Sequence, residues 1–147
     1  MERRKFLKGA ALGAGAVAVA SPAIAQSAKQ LTIVSTWPRD FPGLGTSAQR
    51  LAARIAQLSD GAFNVEYFAA GERVGAFDSF DEVASGNSQA YIAADYYWGG
   101  KHPAFNYFTS VPFGMSTPQW NAWIKFGGGQ ELWDELSGSF GLKALAC

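Results

Sequence analysis

Along residues 30–94 the spacing of apolar residues switches back and forth between a strand period and a helix period, and this alternation constrains the fold more than any other feature. Residues 30–35 carry Leu31, Ile33 and Val34 and read as a first strand. In residues 44–58, Leu44, Ala48, Leu51, Ala52, Ile55 and Leu58 recur at three and four, as on one face of a helix. Phe63, Val65 and Tyr67 then alternate with Asn64 and Glu66, which is a strand pattern. Residues 76–85 read as a second helix with Phe77, Phe80 and Val83 on one face, and residues 90–94 as a third, buried strand. Strand, helix, strand, helix, strand at this spacing predicts an α/β fold with a mainly parallel sheet and flanking helices.

Further on the pattern is less regular. Residues 107–111 read as extended. Ser116-Thr117-Pro118 marks a helix start with proline in the first turn, and Gly127-Gly128-Gly129 marks its end. That helix carries a core stripe of Trp120, Trp123, Ile124 and Phe126. Another helix is expected over 130–136, and a strand beginning over 142–145.

In parallel α/β sheets, ligands bind outside the carboxyl ends of the strands. Two loops fall there. One follows the first strand and carries Trp37 ahead of Pro38 and Pro42. The other begins Asp95-Tyr96-Tyr97-Trp98-Gly99-Gly100-Lys101-His102-Pro103. Aromatic rings give flat apolar walls, and glycines let main chain approach a ligand. The same residues also suit a hydrophobic corner with no ligand. Asp95 reads first as a turn cap and second as a ligand contact. Tyr96, Tyr97, Trp98 and Trp37 are the candidate binding residues.

Other chemistry finds little support. There is no nucleophile elbow, Walker loop or dinucleotide fingerprint. Gly127-Gly128-Gly129 sits at a helix end and reads as a cap or hinge. His102, the lone histidine, has no identifiable partner, and Asp78, Asp81 and Glu82 read as a solvated helix face. Cys147, the sole cysteine, excludes an internal disulfide and a cysteine metal cluster.

Residues 1–25 stand apart. Arg3-Arg4-Lys5-Phe6-Leu7-Lys8 precedes a Gly/Ala-rich apolar run, and Ala23-Ile24-Ala25 forms a cleavage pattern before Gln26. This predicts a signal peptide of the twin-arginine (Tat) type, export to the periplasm, and a mature part over 26–147. The whole chain balances 12 basic against 12 acidic residues. Without Arg3, Arg4, Lys5, Lys8 and Glu2, the mature part carries eight basic and eleven acidic residues, a net charge of −3. No basic cluster survives in it, which argues against nucleic acid and anionic membrane as partners.

Taken together, Ser35-Thr36-Trp37-Pro38, Leu58-Ser59-Asp60-Gly61-Ala62-Phe63, Ala69-Ala70-Gly71-Glu72, Tyr96-Tyr97 with Lys101, Pro103 and Phe105, Val111-Pro112-Phe113-Gly114, and Asn121-Ala122-Trp123 before the glycine triplet resemble one family. The chain resembles the amino-terminal portion of solute receptors of the tripartite ATP-independent periplasmic (TRAP) transporters, DctP type, in the branch that binds 2-oxo acids and related carboxylates. The resemblance implies one partial lobe of a two-lobed, type II-like periplasmic-binding-protein fold. It implies a binding protein rather than an enzyme, which captures a small organic carboxylate and passes it to TRAP permease membrane subunits. No cofactor is implied, although in full-length members a cation can sit beside the substrate through residues beyond this sequence. The full-length form also allows a homodimer. Trp98 departs from the tyrosine that the resemblance leads one to expect, which bears on pocket size. The rival readings are a stand-alone exported interaction module and a periplasmic enzyme.

Overall fold

The computed structural model describes residues 28–109 and 111–147. The signal-peptide expectation for residues 1–25 lies outside the described residues. Three parallel strands form a sheet: β1 (Lys29–Ser35), β2 (Phe63–Phe68) and β3 (Ala90–Ile92), in the order β2-β1-β3. The α/β expectation with a parallel sheet therefore holds. β1 lies in the middle because its side chains can be covered on both faces. Thr32, Ile33, Val34 and Ser35 are all buried, and Ile33 lies opposite Tyr67 on one side and Ala90 on the other.

Helix α1 (Leu44–Leu58) crosses from β1 to β2 with the expected bounds but a different buried face. Its small residues Gly45, Ala48 and Ala52 face inward, while Leu44, Leu51 and Leu58 are exposed. Small side chains bring the helix backbone close to its neighbours. A Cβ on Gly45 would lie 2.4 Å from the Pro38 carbonyl oxygen, so the helix start is pressed onto the loop after β1.

The crossover from β2 to β3 starts as a 3-10 turn (Ala76–Asp78) and continues as α2 (Ser79–Ala84). Phe80 is buried, whereas Phe77 is exposed rather than on the core face. Phe80, Trp98 and Phe105 form one core cluster, with Tyr91, Tyr97 and Phe140 against it. Burying a ring such as Phe80 contributes about 1.5–3 kcal/mol.

After β3 come two further 3-10 segments, Asp95–Trp98 and Pro103–Phe108. The second takes in Tyr107 and Phe108, which were expected to be extended: Pro103 fits a first helical turn, and His102 Nδ1 accepts from the Ala104 N–H, capping it. Helices α3 (Thr117–Phe126) and α4 (Gly129–Gly138) pack on each other. Ser116 and Gln119 form a capping box at the start of α3. Gly128 makes the turn between the helices with φ 83°, and a Cβ on Gly129 would lie 2.7 Å from the Trp123 ring. The glycine triplet thus acts as a cap and a close-packing point. Phe108, Ile124 and Trp133 form the second core cluster, and Leu136 packs against both clusters. Phe126 is 88% exposed, so the expected core stripe of α3 ends before it. The strand expected over 142–145 is irregular chain, without a strand partner among the described residues.

Candidate functional site

The loops at the carboxyl ends of β1 and β3 open onto one broad concavity of about 1650 Å³. Trp37 reaches it from β1. Ala93, Ala94, Asp95 and Tyr96 reach it from β3, and Trp120, Trp123 and Trp133 from the α3–α4 pair. A volume above the usual few hundred to a thousand Å³ marks an open groove rather than a closed pocket. The groove also explains why β3 is only half-buried and shorter than expected. It is an edge strand, and its outer surface lines the concavity.

The three adjacent rings after Asp95 do not share one wall. In a 3-10 helix successive residues point about a third of a turn apart, so Asp95–Trp98 aims its rings in different directions. Tyr96 is 45% exposed and lines the concavity. Tyr97 is half-buried, edge-on to Phe77 at 5.3 Å and to Tyr96 at 4.6 Å. Trp98 is 3% exposed, lies against Phe80 and Tyr91, and donates its indole N–H to the Phe77 carbonyl. Of the four candidate residues, Trp37 and Tyr96 meet at the concavity. Tyr97 buttresses Tyr96, and Trp98 belongs to the core.

The loop that carries Trp37 is held rigidly. Arg39 makes a two-pronged ion pair with Glu72, at 2.7 Å from Nε and 2.5 Å from Nη2. Glu72 also accepts from the Ala69 N–H, and the Ala70 N–H donates to the Trp37 carbonyl. The guanidinium lies 5.4 Å from the centre of the Tyr67 ring. Hydrogen bonding to Arg39 first, and to the Ala69 N–H second, lowers the Glu72 carboxyl to about 2. Lys101 is likewise paired, with Asp81 at 2.6 Å, and its ammonium lies 5.0 Å from the centre of the Phe80 ring. Arg39 and Lys101 are therefore both engaged in ion pairs.

Sequence reasoning missed the contact between Asp95 and Trp133. The Asp95 carboxylate is 8% exposed and accepts the Trp133 indole N–H through Oδ2 at 2.5 Å. Burial pushes this carboxyl up to about 6, and the Trp133 hydrogen bond partly opposes the rise. Beyond Trp133, Phe108 and Trp123 continue a stack, at 5.4 and 5.8 Å between ring centres. Trp120 and Trp123 line the concavity as well as the core. No local pattern signals a bond between residues so far apart in sequence.

Among the described residues, no group of three or more His, Cys, Asp or Glu side chains is placed to hold a metal ion. Asp81 and Glu82 are engaged by Lys101 and Arg73. The arrangement offers aromatic walls, phenol and indole donors and one buried carboxylate. That is the equipment of a small-molecule binding lobe.

Comparison with known proteins agrees. Residues 33–147 match the family described as bacterial extracellular solute-binding protein, family 7 (DctP). A Nostoc sp. protein, called a monocarboxylate 2-oxoacid-binding periplasmic protein, is 30% identical over 95% of this chain and 40% of its own length. A TRAP periplasmic solute-binding protein from Pseudoalteromonas atlantica, solved with bound sodium and pyruvate, superposes with a TM-score of 0.74 at 35% identity. One from Colwellia psychrerythraea, with calcium and pyruvate, gives 0.74 at 32% identity. Each alignment covers 78% of this chain and 35% of the solved one. The chain therefore belongs to the DctP family of solute-binding proteins of TRAP type, and it spans well under half the length of these relatives.

Proposed function

We propose that the chain forms the first ligand-facing lobe of a periplasmic TRAP receptor for a small 2-oxo carboxylate. The Tat-type signal of residues 1–25 would export it, and TRAP permease subunits in the membrane would receive the ligand. The observation that carries this reading is the aromatic concavity at the carboxyl ends of β1 and β3, in a chain two of whose solved relatives hold pyruvate. Trp37 and Tyr96 provide ring contacts, and the Tyr96 phenol provides a donor. The neighbouring Tyr97 hydroxyl raises the Tyr96 phenol above its ordinary value, so it keeps its proton at neutral pH. Lys143, which lines the concavity, is paired with Asp134, so the described wall presents no unpaired side-chain cation to a carboxylate. A cationic grip must come from elsewhere in a complete receptor. Among the described residues no group of three or more His, Cys, Asp or Glu side chains gathers to hold a cation such as those of the solved relatives, so ligands for one would have to come from elsewhere in a complete receptor.

The test is calorimetric titration of the protein, expressed from its complete coding sequence, with pyruvate and longer 2-oxo acids. Saturable binding of at least one supports the reading. Failure to bind any small carboxylate overturns it.

A further inference from the structure

We propose that Asp95 sets the charge selectivity of the concavity, turning away ligands with a second anionic group while leaving monocarboxylates bound. The inference rests on the carboxylate-receptor reading above and names the ligand class that the same site takes. Among the described residues, the charged side chains lining the concavity are Asp95 and Lys143, and the Lys143 ammonium is taken by Asp134. The rest of the wall is largely aromatic and aliphatic. Asp95 and Tyr96 line the same concavity, so a ligand laid on the Tyr96 ring shares that space with the carboxylate. Oδ2 holds the Trp133 N–H, and no described residue donates a hydrogen bond to Oδ1. No cation among the described residues pairs with it.

A carboxylate placed this way repels other anions more strongly than a surface one, because a poorly hydrated site screens charge weakly. A monocarboxylate escapes the repulsion by turning its charge away and laying its apolar end on the ring wall. A ligand with anionic groups at both ends cannot do this. The groups facing Asp95 do not cancel its charge. Tyr91 on β3 is itself raised, by burial first and by Asp95 second, and stays neutral. Trp133 on α4 does not titrate, and Lys143 beyond α4 is already paired. Burial places loss of the Asp95 charge at about pH 6, so the repulsion should fade in mild acid.

The experiment uses the protein expressed from its complete coding sequence, with three probes: pyruvate, a 2-oxo dicarboxylate, and a monocarboxylate bearing a sulfonate, whose second charge persists at pH 5. At pH 8 the wild type should bind pyruvate at least about tenfold more tightly than either dianion. In Asp95→Asn, which keeps an oxygen for the Trp133 N–H, the gap should shrink about tenfold, chiefly through tighter binding of the two dianions. In the wild type, lowering the pH from 8 to 5 should close the gap for the sulfonate probe. This arm needs no variant and stands even if Asp95→Asn fails to fold. A gap that persists in the variant and at pH 5 overturns the inference and leaves the receptor reading intact, as do dianions bound as tightly as pyruvate at pH 8. Failure to bind any carboxylate overturns both.

Discussion

Replacing Asp95 with asparagine should stabilise the protein at neutral pH. Burial raises the Asp95 carboxyl from 3.8 to about 6 in the folded state. Between these values the folded protein holds a proton that the unfolded chain has released, so stability falls as pH rises through roughly 4 to 6 and levels off above. The full difference corresponds to about 3 kcal/mol at pH 7.5. Asparagine removes the charge but keeps an acceptor for the Trp133 N–H, so Asp95→Asn should gain ~1–3 kcal/mol at pH 7.5 and little at pH 4. Glu72, Glu82 and Asp134 are shifted the opposite way by their ion pairs, but they are common to both proteins and drop out of the difference. The assay is urea unfolding followed by near-ultraviolet circular dichroism at several values between pH 4 and 7.5. A variant less stable than wild type at pH 7.5, or a gap that does not change with pH, would contradict a buried Asp95 carboxylate that costs stability when charged. Trp133→Phe should act in the other direction, losing ~1.5–3 kcal/mol at pH 7.5, because it strips a charged buried group of its donor.

Other outcomes follow from the same geometry. Glu72→Gln should speed hydrogen exchange at the Ala69 and Ala70 amides; in the wild type this protection should hold above about pH 4.5 and be lost as pH falls toward 2. Trp98→Ala should destabilise by about 3–5 kcal/mol, since it empties a core position, whereas Tyr96→Ala should change stability by less than ~0.5 kcal/mol while weakening carboxylate binding by about 1–3 kcal/mol; melting curves and calorimetry separate the two. Replacing Arg3 and Arg4 with lysine should block export if the twin-arginine reading is right, and unimpaired export of that variant contradicts it.

The parts of the fold visible in the sequence are those set by local period and local caps. The bounds of α1, the start of α3 at Ser116 and the glycine stop all depend on neighbouring residues. What stayed hidden depends on distant partners. Leu44, Leu51 and Leu58 satisfy a helical apolar pattern, yet the surface they meet decides that Gly45, Ala48 and Ala52 turn inward instead. Residues 107–111 carry strand-like residues, but Pro103 and the His102 cap start a 3-10 turn that runs to Phe108. The position of Trp37 and Tyr96 at the concavity was legible because strand ends mark clefts. Trp98 was not separable from them, since the direction of each ring depends on the 3-10 turn rather than on ring chemistry. Asp95 looked like a turn cap, and its bond to Trp133 needed the folded chain to bring α4 back to β3.

Fluorine NMR of the protein labelled with 5-fluorotryptophan and titrated with pyruvate reports whether the ligand sits against the carboxyl ends of β1 and β3. The indole at Trp37 lines the concavity, whereas that at Trp98 is sealed in the core. Resonances assigned by single Trp→Phe replacements should show a saturable shift at Trp37 and little or none at Trp98. A saturable shift confined to Trp98, or saturation that leaves Trp37 unmoved, would contradict the placement of the site.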